Sequence, residues 1–419
     1  MREKVYACID LKSFYASVEC VERGLDPFKT DLVVSDPARG RGAICLAISP
    51  SMKARGVKNR CRIFEIPSGL EYITAMPRMK LYMRYSADIY SIYLKYISKD
   101  DIHVYSIDEC FFDFTPYLDT YGMTPKELAN TMMDAVFKET GIQATAGIGT
   151  NLFLAKVALD VTAKHAPDHI GFLDQAEFER VIWRHRPITD IWNVGKGIAR
   201  RLEKYGVFDL YGVAHLDEKA LYKEFGVNAE YLIDHAHGYE PCTIEEIHNY
   251  VPQSNSLSNG QVLFEDYNFD DALIVVREMV DMLVLELVEK SMVAGGISLH
   301  VLYSKDCIRA TGGTRKLPAA SNSYKKIAEF MELLYRETTD HTHPIHKLNV
   351  GLDDLTPEDG LQLDLFSSVQ TDEKEQKIQR AVVSIKNKYG KSAILRGSSL
   401  QEKATARQRN KLVGGHNGE

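Results

Sequence analysis

The run HVYSIDECFFDF, residues 103–114, constrains the fold most, because it reads as sheet yet places two carboxylates, Asp108 and Glu109, side by side. Successive side chains of a regular strand point to opposite faces of the sheet. Adjacent acids can face one side only where the backbone leaves strict alternation, as it does at a hairpin turn. The sequence therefore predicts two antiparallel strands, residues 101–107 and 110–114, with both acids at or beside the turn.

A third acid ends the first apolar run of the chain. Residues 5–10, VYACID, read as a buried strand that carries Asp10 to the edge of a sheet. Helical spacing follows from residue 12, a second helix is predicted over residues 124–140, and residues 142–150 read as another strand. The order strand, helix, hairpin, helix, strand predicts an α+β sheet with helices on one face.

The rest of the chain divides into segments of different composition. Domains contain about 150 residues on average, so a chain of 419 residues is expected to form roughly three. Residues 24–77 are rich in Gly, Pro and small side chains and read as a separately packed insertion, whereas residues 173–240 read as short helices. Residues 241–256 are polar and read as a linker. Residues 257–355 read as a second, smaller α+β unit.

Composition limits the class of protein only broadly. No apolar run approaches the roughly 18 residues of a membrane span, and residues 1–10 lack the apolar stretch of a signal peptide, so we expect a cytoplasmic protein with no membrane partner. The seven cysteines form no CxxC pair and are expected to be reduced. A net charge of −7 argues against nucleic acid, but local basic patches can still bind phosphates, so this argument stays open.

Asp10, Asp108 and Glu109 would form a site for divalent cations if they converge. Three carboxylates in one place repel one another, and oxygen ligands alone suit Mg²⁺ or Mn²⁺ rather than zinc. Two such ions can activate an attacking hydroxyl and stabilise the leaving oxygen of an in-line phosphoryl displacement. The alternative is a polar hairpin turn with Asp10 as a strand-end cap, and spacing alone leaves both open.

Four motifs, by their order and spacing, resemble the Y-family DNA polymerases, which are translesion enzymes. They are CIDLKSFYASVE at 8–19, YSIDE at 105–109, AGIGTNLFLAKVALDVTAK at 146–164 and WNVGKGIARRLEKYGV at 192–207. The resemblance covers residues 5–350 and is nearest to the UmuC-like branch of Gram-positive bacteria and their phages and plasmids, represented by UvrX. It implies a multidomain right-hand polymerase that copies damaged templates with low fidelity.

The resemblance also implies domain boundaries and metal ligands. The domains would be the palm (1–12 and 78–172), the fingers (13–77), a helical thumb with a helix-hairpin-helix (173–240), a linker (241–256), a little finger (257–355) and a tail (356–419). Asp10, Asp108 and Glu109 match the acids that hold two Mg²⁺ ions, with Mn²⁺ as a substitute. Glu109 is the residue usually given as the active site, and the carbonyl of Leu11 would add a ligand.

Tyr15 and Lys164 match residues that bind the incoming deoxynucleotide (dNTP). Tyr15, five residues after Asp10, matches the steric gate, whose ring clashes with a ribose 2′-OH, while Phe14 beside it is assigned to packing. Lys164 matches a triphosphate contact. From the residues alone, Tyr15 is an ordinary aromatic side chain of a helix and Lys164 a solvated charge.

The fingers depart from the usual triphosphate-binding pattern. Many relatives have a Tyr and an Arg three residues apart, where this chain has Pro50 and Lys53. Lys53 supplies a point charge without the bidentate fork of Arg. Pro50 supplies no hydroxyl, so that contact is lost or moves, with Ser49 or Ser51 as candidates.

Two basic regions are candidates for binding primer-template DNA. Gly195 and Gly197 lie in a short loop before a helix, where exposed N–H groups can hold a phosphate without reading bases. Lys196, Arg200 and Arg201 add positive charge there. In the predicted little finger, the candidates are Arg309, Arg315 and Lys316. The alternatives are a plain Gly-containing helix turn and a solvated charged face.

The segment QLDLF resembles the peptide that binds the β sliding clamp, with the contacts Gln362, Leu363, Leu365 and Phe366. The basic end of the chain is expected to be a flexible arm without an assigned role. A recombinase filament or a UmuD-like protein is a further possible partner.

Two rival functions stay open at this stage. A nucleotide cyclase would share the carboxylates but need no helix-hairpin-helix. A catalytically weak or silent DNA- and clamp-binding protein at stalled replication ends is favoured by Pro50 and opposed by the complete set of three acids.

Overall fold

The computed structural model describes residues 4–252, 255–304, 308–358 and 369–418, and these form two compact units. The first unit comprises residues 1–250 with 417–419, and the second comprises residues 251–416. The predicted clamp-binding residues fall outside the described ranges.

The first unit is built around a mixed sheet. Its strands are β1 (Tyr6–Leu11), β2 (Leu32–Val34), β3 (Ala47–Ile48), β4 (Ile73–Ala75), β5 (Ile102–Val104), β6 (Glu109–Asp113), β7 (Ala144–Gly149) and β8 (Ile170–Leu173). The main sheet has the order β5, β6, β1, β7, β8, and β3, β2 and β4 form a small separate sheet. Neighbours in the main sheet are antiparallel except β7 and β8, which are parallel. The predicted hairpin is confirmed as β5 and β6.

Helices connect these strands. They are α1 (Phe14–Val21), α2 (Pro50–Ala54), α3 (Met79–Tyr93), α4 (Tyr117–Tyr121), α5 (Pro125–Thr140), α6 (Leu152–Val157), α7 (Gln175–Glu177), α8 (Lys196–Glu203), α9 (Leu210–Ala214), α10 (Glu218–Phe225), α11 (Ala229–Ala236) and α12 (Ile244–Asn249). The predicted start of α5 is confirmed, because Thr124 forms a capping box with Glu127 and Pro125 occupies the first turn.

The prediction of helices on one face of the main sheet is wrong, since both faces are covered. Phe111 of β6 packs with Leu152 of α6 and Ile244 of α12. The next residue, Phe112, points the other way and meets the ring of Tyr93 on α3 at 5.0 Å. The strand is buried on both sides and therefore reads as a continuous apolar run instead of an alternating one.

The prediction that residues 241–256 form a linker is wrong for Ile244–Asn249, which form α12. Thr243 caps this helix through a capping box with Glu246, and Ile244 is only 2% exposed. Two apolar residues at helical spacing, Ile244 and Ile247, are enough to attach a short polar helix to the sheet. The boundary between the units follows Tyr250.

The second unit is an antiparallel sheet with helices on one face. Its elements are β9 (Leu257–Tyr267), α13 (Phe269–Glu289), β10 (Met292–Tyr303), β11 (Thr311–Ser321), α14 (Tyr324–Thr338), β12 (Ile345–Pro357), α15 (Val369–Tyr389), α16 (Ala406–Arg409) and the short strand β13 (Leu412–Val413). The last strand, β14 (His416–Asn417), begins at the final residue of this unit. The four long strands have the order β11, β10, β12, β9. Alternate apolar residues of these strands pack against α13 and α14, as the sequence predicts for an α+β unit.

The described part of the C-terminal tail is folded, so the prediction of a flexible arm is wrong there. Glu278 of α13 is 4% exposed, and its carboxylate accepts hydrogen bonds from the backbone N–H groups of Thr405 (2.8 Å) and Ala406 (3.0 Å). Arg409 donates to Gln261 of β9 at 3.0 Å. A buried carboxylate requires donors, and the tail supplies them.

Candidate active site

The hairpin brings three carboxylates to one end of the main sheet. Glu109 is the first residue of β6, and Asp108 precedes it in the turn. The antiparallel register pairs Asp10 of β1 with Glu109, and cross-strand partners share a face of the sheet. The N–H of Leu11 donates to the carbonyl of Asp108 at 2.9 Å, which fixes the turn against β1.

The acids influence one another electrostatically. Burial raises the pKa of Asp10 to about 8, and the negative charges of Asp108 and Glu109 contribute to the increase. A carboxyl group in such surroundings resists ionisation until a cation neutralises the group of charges.

A lysine currently neutralises Glu109. The ammonium group of Lys156 lies 2.8 Å from Oε1 of Glu109, and the thiol of Cys8 donates to the same oxygen at 3.0 Å. Asp108 accepts from the hydroxyl of Ser106 at 2.7 Å. Among the residues that the structure describes, no three acidic, histidine or cysteine side chains group closely enough to hold a metal ion. Glu109 thus has a cationic partner, Lys156, within the protein itself.

Sequence reasoning missed Lys156, although one signal was present. Lys156 is the single charged residue within LFLAKVAL, residues 152–159, and a charge inside an apolar helix requires a partner. The helix continues into a π-helical turn, Ala158–Thr162, and Lys156 also contacts Asp160 at 3.1 Å. The helix lies so close to β7 that a Cβ atom at Gly147 would overlap its backbone.

Tyr15 lies on the first turn of α1, immediately after the end of β1. The turn places Ser13 at φ 50°, a left-handed conformation uncommon for residues other than glycine. Phe14 is 2% exposed and packs into the core. Tyr15 is half-buried, and its ring stacks on that of Tyr82 with centroids 4.5 Å apart and planes 14° apart.

The charges of Lys12 and Lys53 interact with these acids, and Lys164 interacts with Lys53; sequence reasoning missed Lys12. Burial lowers the pKa of Lys12, and the ammonium group of Lys53 lowers it further. Burial also lowers the pKa of Lys53, the charge of Asp10 opposes this, and Lys164 adds to the decrease. The charge of Lys53 therefore acts on Lys12, and that of Lys164 acts on Lys53. The signal for Lys12 was its position two residues after Asp10.

The suggested transfer of the missing hydroxyl contact to Ser49 or Ser51 is not supported. The hydroxyl of Ser49 is buried and caps α2 by accepting from the N–H of Met52 at 3.3 Å. The hydroxyl of Ser51 donates to Asp31 at 2.6 Å. Pro50 occupies the first turn of α2, where a missing N–H costs nothing.

The glycine loop of the predicted helix-hairpin-helix precedes α8. Gly195 caps α8, and Lys196, Gly197 and Arg200 lie on the helix; all four are exposed. Arg201 differs, because its guanidinium donates to the carbonyl of Glu224 at 3.0 Å and lies 4.3 Å from the ring centroid of Phe225. Arg201 therefore holds α8 against α10 and is less suited to a phosphate than its neighbours are.

The basic residues of the second unit separate onto different faces. Arg315 is paired with Ile297, which is fully buried beneath the helices, and Arg315 forms an ion pair with Glu337 of α14. Lys316 points to the opposite face of the sheet and is exposed, and Arg309 is exposed in the preceding loop. The expectation that Arg315 contacts DNA is therefore not supported by its position.

Across the described ranges, no helix combines the length and apolar character needed to cross a membrane.

Comparisons with known proteins agree over nearly the whole chain. Residues 9–160 match the model of the impB/mucB/samB family, and residues 254–365 match that of its C-terminal domain. The chain is 31% identical to the putative UV-damage repair protein UvrX of Bacillus subtilis strain 168, over 98% of this chain and 96% of that protein. It is 32% identical to DNA polymerase IV 2 of the same strain, over 99% of each. A solved Y-family DNA polymerase chimera of Dbh and Dpo4 has a TM-score of 0.64 at 20% identity, over 84% of this chain and 99% of that one, which shows a shared fold.

Proposed function

Because the chain belongs to the impB/mucB/samB family of Y-family translesion DNA polymerases, we propose that Asp10, Asp108 and Glu109 are the groups at which it joins a dNTP to a primer 3′-OH. The observation that carries this proposal is the register of β1 and β6, which pairs Asp10 with Glu109 beside the turn that holds Asp108. The raised pKa of Asp10 supports it, because the three charges act on one another.

The donor set suits Mg²⁺, with Mn²⁺ as a substitute. Carboxylate oxygens and the carbonyl of Leu11 are ligands that these ions prefer. Two bound ions would activate the primer hydroxyl and stabilise the leaving oxygen of pyrophosphate. The ammonium group of Lys156 lies 2.8 Å from Glu109 and 3.1 Å from Asp160, so Asp160 would remain a partner of Lys156 if Glu109 held an ion.

We propose that Lys12, Lys53 and Lys164 bind the triphosphate. We assign Lys53 and Lys164 to it from the family pattern, and we add Lys12, whose ammonium group lies near that of Lys53. This third charge compensates for the hydroxyl that Pro50 lacks. Tyr15, which follows β1, would then exclude ribonucleotides by clashing with their 2′-OH group.

The two units would divide the handling of DNA. The first unit contains the proposed palm, fingers and thumb, and the second contains the proposed little finger. We propose that the exposed Lys196 and Arg200 of α8 and Lys316 of β11 bind phosphates.

We also propose that Gln362, Leu363, Leu365 and Phe366 bind the β sliding clamp, on the strength of their resemblance to clamp-binding peptides. Deleting residues 362–366 should abolish stimulation of synthesis by the clamp. Stimulation that survives the deletion would place the contact elsewhere. A requirement for a recombinase filament or a UmuD-like protein can be tested by adding each to the same reaction.

Primer extension past an abasic site tests the main proposal. The wild type should extend the primer. Asp108→Ala should reduce extension by at least about a hundredfold, because a proposed ligand of the metal ions is lost. The control is Asp134→Ala, an exposed acid of α5 that should leave extension unchanged. Equal extension by wild type and Asp108→Ala would refute the assignment. No extension by either would favour a silent DNA- and clamp-binding protein.

A further inference from the structure

The ring of Tyr15 rests against a second tyrosine that is itself fixed. Tyr82 of α3 is fully buried, and its ring lies almost parallel to that of Tyr15, 4.5 Å away. A ring backed by another buried ring cannot withdraw without displacing it. The position of Tyr15 therefore depends on what holds Tyr82.

A buried carboxylate holds Tyr82. The hydroxyl of Tyr82 donates to Oε1 of Glu19 at 2.8 Å, and Glu19 is fully buried on α1, one helical turn after Tyr15. Arg78 binds both oxygens of Glu19, at 2.9 Å and 2.8 Å, and Arg23 forms an ion pair with one of them. These contacts leave Glu19 little freedom to move.

The arrangement exceeds what attaching α1 to α3 requires. One turn along the same two helices, Tyr85 donates to Glu22 at 2.7 Å. That pair is exposed, joins the same elements and does not stack on Tyr15. Burying Glu19 instead carries a desolvation cost, which its two arginines and Tyr82 offset. The additional result of the buried pair is a fixed surface behind the Tyr15 ring.

We propose that Glu19, acting through the hydroxyl of Tyr82, positions Tyr15 and so sets how strongly the enzyme discriminates against ribonucleotides. The inference rests on the proposed function, since it concerns the sugar of the incoming nucleotide. A steric gate excludes a 2′-OH only as far as its ring resists displacement. Glu19 and Tyr82 are thus positioning residues, and Tyr15 is the residue that meets the sugar.

The test measures single-nucleotide insertion with dNTP and with the matching ribonucleotide on an undamaged template. Tyr82→Phe keeps the ring and removes only the hydrogen bond, and Glu19→Gln keeps the shape and removes the charge. The matched controls are Tyr85→Phe and Glu22→Gln, which break the exposed pair. Tyr15→Ala removes the gate and gives the discrimination that remains without it. Thermal melting of each variant reports whether it is folded.

Tyr82→Phe and Glu19→Gln should each reduce the ratio of kcat/KM for dNTP to that for ribonucleotide by about tenfold, mainly through faster ribonucleotide insertion. The controls should keep the wild-type ratio. If Tyr82→Phe retains that ratio while Tyr15→Ala loses it, the gate exists and the inference is overturned. A folded wild type that inserts neither nucleotide would overturn the proposed function and this inference with it.

Discussion

At the scale of single residues, Asp10 links the charge of the site to the stability of the protein. Without metal, the folded protein keeps Asp10 protonated up to about pH 8, whereas the unfolded chain releases that proton near its usual pKa of 3.8. The folded state thus binds more protons across this window, so the free energy of unfolding should fall as pH rises through it. A cation favours the ionised form and should reverse the effect.

Thermal melting checks this prediction. Mg²⁺ should raise Tm more at pH 8 than at pH 5, and Asp10→Asn should lose most of the shift at pH 8. Without metal, Asp10→Asn should be more stable than the wild type at pH 8, by on the order of 1 kcal/mol. An equal effect of Mg²⁺ on both proteins would show that the ion binds elsewhere.

The sequence singled out the three acids and Tyr15 as candidates, but it did not indicate the side chains that contact them. Asp10, Asp108 and Glu109 stand out because acids in apolar strands are unusual. The partners Lys156 and Tyr82 come from other elements, and the sequence gives no distance between elements. Lys12 was visible as a charge two residues after Asp10, yet only the fold shows that the charge of Lys53 acts on it.

At the scale of elements, α6 depends on a glycine in the neighbouring strand. A Cβ atom at Gly147 would overlap the backbone of Ala155 and Leu159. Gly147→Ala should therefore push α6 away from β7 and destabilise the protein by about 3 kcal/mol. Because α6 carries Lys156, the variant should also lose primer extension.

The control for this prediction is Gly42→Ala, where a Cβ atom meets nothing within 4 Å. It should change the free energy of unfolding by no more than about 0.5 kcal/mol. Denaturant unfolding of both variants measures the difference. Equal stability of the two would show that α6 can shift without cost.

Strong periodicity and caps predicted the main elements, including the β5 and β6 hairpin and α5. Short or unusual elements escaped prediction. The strand β8 is only four residues long, and α12 carries too few apolar residues to stand out from a linker. The sequence of α6 gives no sign that the helix continues into a π-helical turn.

At the scale of the whole molecule, the second unit is completed by residues far along the chain. The hydroxyl of Thr405 lies 3.1 Å from the carboxylate of Glu278 and 3.3 Å from Gln261. Thr405→Val should remove these contacts without changing shape and destabilise the second unit by about 1–2 kcal/mol. Hydrogen exchange of the intact protein can measure the change within α13.

Lys403→Ala is the matched control, because it removes a largely exposed ion pair with Glu265 and a contact with the ring of Tyr267 but no hydrogen bond to Glu278. Such pairs contribute about 0–1 kcal/mol, so its effect on α13 should be small. If the amides of α13 exchange as slowly in Thr405→Val as in the wild type, the tail covers this unit without stabilising it. The basic composition of the tail gave no sign that it forms hydrogen bonds to Glu278. The number of charges in a segment does not reveal which buried group it contacts.

The boundary after Tyr250 has a consequence for inheritance. Every residue proposed here to take part in the reaction, from Asp10 to Lys164, lies before that boundary. Genetic recombination between related genes at this point would pass on the complete set of reacting groups in one piece. The descendant enzyme would then keep its chemistry while acquiring a different second unit. The proposed reaction of the first unit and the proposed DNA binding of the second can therefore evolve separately.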